Sequence, residues 1–173
     1  MIHHPRLAAV LGAVVSLWLA PIAGGQAPSP SGDMAPNPLE IKSIAEVESR
    51  SIVNGRAVVK LIPADRVVPG DRVIYTLEVR NTGTTTLDAP TVTFPIPEHM
   101  HYVADSAVGP GADVSYSVDG GHRFERADNL QTPDVQGRPR PAVAADYTDI
   151  RWQLKNSLKA NSVAFVRFRA VVK

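Results

Sequence analysis

The sequence predicts an all-β protein whose strands stack as a sandwich. Three observations predict it. Apolar and polar residues alternate over many short stretches, the two-residue period of a half-buried strand. Turn residues separate those stretches, with fifteen prolines and twelve glycines along the chain, a supply that suits short strands better than long helices. After residue 38, no window keeps the period of an amphipathic helix for about ten residues.

At 173 residues the chain is one domain's worth, and 44% hydrophobic with 20% charged is an ordinary globular balance. Only 6% is aromatic, so Val, Ile, Leu and Ala are expected to fill the core. There is no cysteine, hence no disulfide and no lipid-modified N-terminal Cys. A domain without disulfides is held by its core alone, and this chain is long enough for that.

Residues 1–25 read as a secretory leader. Residues 1–6 are short and basic, 7–23 are almost wholly apolar, and Gly24-Gly25-Gln26-Ala27 is small and polar. That order matches a signal peptide, and the apolar run is short for a membrane span. The small residues Ala23 and Gly25 place cleavage after Gly25. Arg6 is the one charge removed, so 18 basic residues less one leaves 17, against 17 acidic. A neutral mature chain recruits neither nucleic acid nor an anionic membrane, and no transmembrane anchor is expected after cleavage. Residues 26–38, with four prolines among small polar residues, read as an extended linker. Residues 39–173 are then the folded domain.

Strand by strand, the pattern runs as follows. Leu39, Ile41, Ala45 and Val47 alternate with Glu40, Lys42, Glu46 and Glu48. Asn54-Gly55 then separates Ile52-Val53 from the run 56–59, the strongest short hairpin signal. Pro63 and Pro69-Gly70-Asp71 are turn chemistry. In 72–80, Val73, Tyr75, Leu77 and Val79 share one face. Residues 91–96 form the next strand and 100–103 a short extended piece. Residues 113–118 and 122–125 form a second hairpin around Asp119-Gly120-Gly121. Residues 127–146 are Pro-rich and aperiodic, and read as a long loop. Residues 147–154 carry Ile150, Trp152 and Leu154. Residues 163–172 are the last strand, with Ala164, Val166, Phe168, Ala170 and Val172 on one face. Seven to nine such strands read as an immunoglobulin-like β-sandwich.

Val68-Pro69-Gly70-Asp71-Arg72-Val73-Ile74-Tyr75-Thr76-Leu77, followed by Arg80-Asn81-Thr82-Gly83, resembles the conserved-repeat domain of bacterial and archaeal surface proteins, a domain of unknown function (number eleven). Phe94-Pro95-Ile96-Pro97, Tyr102-Val103 and the closing strand 165–172 extend the resemblance over roughly residues 60–173. It implies an immunoglobulin-like sandwich in an exported, often surface-located protein, and it carries no catalytic residues to transfer. Two departures stand out: the domain occurs once rather than in tandem, and the final turn is Lys159-Ala160-Asn161-Ser162 where the family usually has Pro-Gly.

No nucleophile elbow, His-Glu-x-x-His or phosphate loop is present, so no catalytic residue, cofactor or metal is expected. His99 and His101 are two ligands where a structural zinc needs four. Asp146 and Asp149 read as turn caps beside a strand start. An internal Lys–Asn isopeptide is not expected, since the last strand has no Asn and Lys42 lies on the polar face. Ser117, Asp119, Gly121 and Phe124 fit Ser-x-Asp-x-Gly-x-x-aromatic, which resembles the Asp-box hairpin of some propeller glycosidases and carbohydrate-related proteins. The expected role is structural: Asp119 accepts turn N–H groups, Gly121 takes positive φ, and Phe124 packs beneath.

Two sets of charges are candidate partner contacts. Arg138 and Arg140, each followed by proline, are stiffly spaced cations suited to an acidic partner. Glu40, Glu46 and Glu48 on the first strand complement Arg167 and Arg169 on the last, either within one chain or by strand addition between copies. The expected function is a non-enzymatic structural or adhesive module of the cell envelope, exported to periplasm, cell surface or medium and self-associating through edge strands. The alternative is a glycan- or protein-binding module using 127–146 and the 117–124 hairpin.

Overall fold

A computed structural model describes residues 38–173. The leader expected over 1–25, and the linker as far as residue 37, lie outside the described residues. Ten strands follow in order: β1 (Leu39–Val53), β2 (Arg56–Pro63), β3 (Arg72–Asn81), β4 (Thr91–Pro95), β5 (Met100–Tyr102), β6 (Ala112–Ser117), β7 (Gln131–Pro133), β8 (Pro139–Pro141), β9 (Asp149–Leu154) and β10 (Val163–Val172). They form a five-stranded sheet β2-β1-β3-β10-β5, a three-stranded sheet β4-β9-β6 and the pair β7-β8. All pairings are antiparallel. Among the described residues there is no α-helix, and so none long and apolar enough to cross a membrane.

Local chemistry sets the strand ends. Asn54 and Gly55 both have positive φ, 51° and 73°, and Val53 faces Arg56 across them. That is the type I′ turn whose twist matches a two-residue hairpin. At the Pro69-Gly70 turn, Gly70 takes φ +94°, the Asp71 N–H reaches the Val68 carbonyl at 3.0 Å, and the Val68 N–H donates to the Asp71 carboxylate at 2.9 Å. The turn then bonds to the end of β10, with Gly70 N–H to Val172 O at 3.0 Å and Val172 N–H to Asp71 O at 2.9 Å.

The two larger sheets share one core. The inner faces of β3 and β10 contribute Leu77, Val79, Val166, Phe168 and Ala170, and β4 and β9 contribute Val92, Ile150, Trp152 and Leu154. Val, Ile, Leu and Ala make up most of the core, as composition led one to expect, and a few aromatic residues add to its centre. Trp152 and Phe168 are the two largest side chains with no exposure. Phe168 stacks on Tyr75 at 4.8 Å and meets Phe94 at 6.0 Å and Trp152 at 6.2 Å. A second cluster joins Tyr102, Tyr116 and Tyr147, with the Tyr102 and Tyr116 hydroxyls 3.0 Å apart. Burial and that hydrogen bond hold the Tyr116 phenol far above its usual range.

Residues 127–146 correct the expected loop. They hold two 3₁₀ turns and the β7–β8 hairpin, in which Thr132 faces Arg140. Three-residue strands are too short to show a period, so the pattern hides them. The hairpin closes through Asp134, which accepts the N–H groups of Gln136 and Arg138 at 2.8 and 2.9 Å.

Asn81 ends β3 with no exposed surface. Its Nδ2 donates to the Thr85 carbonyl at 2.8 Å and the Leu158 carbonyl at 2.9 Å, while Oδ1 accepts the Gly83 N–H at 2.9 Å. Its backbone bonds to Asn161 and Ser162 in the turn before β10. Asn81→Ala takes the partner from the Thr85 carbonyl and the Gly83 N–H and one of two donors from the Leu158 carbonyl, which keeps the Leu87 N–H; it is expected to destabilise by about 1–3 kcal/mol in urea unfolding. Substituting Thr85, which contributes only a backbone carbonyl, is expected to change little.

Candidate interaction surfaces

The 117–124 hairpin is built as the pattern requires. Ser117 is fully buried; its hydroxyl donates to Asp119 Oδ1 at 2.7 Å and accepts the N–H groups of Asp119 and Gly121 at 3.2 and 3.0 Å. Asp119 Oδ1 also accepts the Arg123 N–H at 3.0 Å. These bonds, the Ser117 hydroxyl first, hold its carboxyl below the usual range. Gly121 has φ +84°, and a β-carbon there would stand 3.4 Å from the Asp149 carboxyl. Phe124 departs from expectation. Rather than packing beneath the hairpin, it takes the Arg151 guanidinium over its ring at 3.6 Å, a cation–π contact.

Both cations of 138–141 are paired within the chain. Arg138 bridges Asp134 at 2.9 Å. Arg140 grips Asp146 with two bonds, 2.7 and 2.8 Å. The bonds from Arg140, then the Val143 N–H, hold the Asp146 carboxyl below its usual range. The segment and the 117–124 hairpin meet around one polar cleft of about 230 Å³, lined by Val118, Asp119, Arg123, Glu125, Asn129 and Leu130.

The charged strands are arranged differently from the expected direct pairing. β1 and β10 are not neighbours, because β3 lies between them. Glu40 faces Arg80 and Lys42 faces Glu78, opposite charges worth about 0.2–1 kcal/mol a pair. Glu46 faces Ile74 and Pro63, and Glu48 faces Leu61. Arg167 faces Thr76 and donates to its hydroxyl at 3.1 Å. Arg169 faces Ile74. On the other side of β10, β5 pairs with Ala170–Val172 and Val108 bridges Arg167. Beside the remaining stretch lies a groove of about 450 Å³ lined by Pro110, Leu154, Leu158, Ala164 and Phe165.

One exposed apolar feature escaped the sequence reading. β1 pairs with β3 only as far as Val47; from Glu48 to Val53 it pairs with β2 alone. The two strands continue as a two-stranded arm. Directly opposed residues share a face, so Ile52, Ala57, Val59 and Leu61 lie on one side and Val53, Val58 and Ile62 on the other. Ile52 is 79% exposed, Val59 52% and Leu61 44%. The signal was the paired apolar runs 57–59 and 61–62 of β2, on either side of Lys60, which place apolar groups on both faces of a strand.

Among the described residues no group of three or more His, Cys, Asp and Glu is placed to hold a metal ion. Comparison of the chain with protein-family models, with curated proteins and with solved structures finds no match in any of the three.

Ser117→Ala removes the acceptor of two part-buried N–H groups and is expected to destabilise by about 1 kcal/mol, read from thermal unfolding. Asp146 adds stability above the unfolded carboxyl pKa of about 3.9 and loses it as pH falls through its lower folded value. Segment 131–146 is therefore expected to loosen in acid. Arg140→Ala is expected to move Asp146 up toward the ordinary carboxylate range, measured by NMR titration.

Proposed function

We propose that the chain is an exported, non-enzymatic module of the cell envelope, an immunoglobulin-like sandwich that assembles through its edge strands. The observation that carries this is the β1–β2 arm, which has apolar residues on both faces and is open along β2. A long, exposed, hydrophobic edge strand is a template for pairing with another chain, and contiguous exposed apolar surface marks interaction sites. Two antiparallel sheets on a common core support the sandwich assignment. The leader-like residues 1–25 support export, and the motifs shared with the conserved-repeat domain of surface proteins support the envelope setting.

A second reading draws on a separate observation. The 117–124 hairpin and the segment after it line one polar cleft, in which two carboxylates, a guanidinium and two amides converge. That is suitable chemistry for a small polyhydroxylated ligand such as a glycan.

Light scattering and negative-stain microscopy on residues 26–173 separate the two. Dimers or ordered multimers growing with concentration are the expected result. A monomer at every concentration, saturating with an oligosaccharide, overturns the assembly reading in favour of the cleft.

A further inference from the structure

Resting on the reading of the chain as a self-associating module, the geometry of the arm specifies a strand, a register and a partner. Val53 and Arg56 flank a two-residue type I′ turn, so they form a doubly hydrogen-bonded pair. Bonding alternates from there. Arg56, Val58, Lys60 and Ile62 turn their backbone groups toward β1, and Ala57, Val59, Leu61 and Pro63 turn theirs outward. β2 pairs with no strand but β1 among the described residues, and Pro63 has no N–H to give.

We propose that β2 pairs antiparallel with β2 of a second copy across a two-fold axis at Val59. Val59 then faces Val59 of the second copy, Ala57 faces its Leu61, Val58 its Lys60 and Arg56 its Ile62. Ala57, Val59 and Leu61 each exchange both their backbone bonds, and no two like charges stand directly opposite. Neighbouring registers do worse. Centred on Val58, Arg56 faces Lys60. Centred on Lys60, that lysine faces itself and Ala57 meets Pro63. Since cross-strand partners share a face, the favoured register also joins Ile52, Ala57, Val59 and Leu61 of both copies into one apolar patch.

The other free edge of the arm does not offer this. It is limited to residues after Val47, because β3 occupies that side of β1 over Leu39–Val47, and an incoming strand would meet β3. A contact as short as β2 belongs with interfaces below about 1,200 Å², so the dimer forms in proportion to concentration.

The chain has no cysteine, so single substitutions report the register directly. Directly opposed residues of an antiparallel pair sit about 4.5–5.5 Å apart between Cα atoms, inside the range a disulfide spans, whereas diagonal neighbours at about 7–8 Å lie outside it. Val58→Cys, Val59→Cys and Lys60→Cys are oxidised in the protein as purified after export. The expected result is a covalent dimer forming about ten times faster at position 59 than at 58 or 60. Fastest cross-linking at 58 or 60 overturns the register. Ala57→Pro removes one outward N–H and none of the bonds to β1; it is expected to weaken dimerisation about tenfold or more with an unchanged circular dichroism spectrum. Dimerisation like that of the unaltered chain overturns the β2 edge. Unaltered protein that multimerises by light scattering while no position cross-links overturns this inference alone; protein that stays monomeric throughout overturns the assembly reading with it.

Discussion

Five hydrogen bonds converge on Asn81, three through its side chain and two through its backbone. Its amide group reaches carbonyls four and 77 residues away along the chain, and its backbone holds the turn that launches β10. A fully satisfied buried amide fixes one arrangement of the strands it joins, because every alternative leaves polar groups unpaired in a medium that penalises them. The Asn-Thr-Gly that follows β3 is therefore more than a strand terminator. Gly83 completes it: a β-carbon there would lie 3.2 Å from Asn81 Oδ1 and 3.0 Å from the Pro38 side chain. Thr82, between the two, bonds twice to the Pro38 carbonyl, so one short motif anchors both the entry to β1 and the entry to β10.

From that anchor the rest of the layout follows. With β3 and β10 locked at their ends, their inner faces present Tyr75, Leu77, Val79, Val166 and Phe168 to the second sheet. Phe168 touches three other rings, one of them Trp152, which makes the centre of the core a cluster of flat, rigid groups. Such side chains remove much surface from water for few rotatable bonds. That economy lets a chain without cysteine hold two sheets together. Among the described residues nothing accepts a hydrogen bond from the Trp152 indole N–H, so its packing alone holds the ring in place.

Much of the fold was legible because its strands are half-buried. The alternation in 72–80 and 163–172 named the inward residues, and Asn54-Gly55 and Pro69-Gly70 named their turns. What the pattern hid has physical causes. β7 and β8 are too short to alternate. β1 and β2 run beyond the sheet, where no buried face imposes a period. The candidate sites divided in the same way. The Ser117–Asp119 hairpin could be read locally, since its bonds span four residues. The partners of Arg138 and Arg140 could not, because Asp134 and Asp146 are ordinary loop acids until the hairpin folds them back. Nor could the place of Glu40 opposite Arg80, since strand order across a sheet depends on contacts distant in sequence.

The position of β10 has a consequence for how the molecule comes into being. It is the last strand in the order of the chain, yet it stands inside the sheet, between β3 and β5. Until it arrives, β3 has one open edge, β5 has no neighbour, and the core lacks Phe168. Contacts this far apart in sequence are slow to close. A chain emerging residue by residue therefore stays open until residues 163–172 are free to join it, and then closes as a unit.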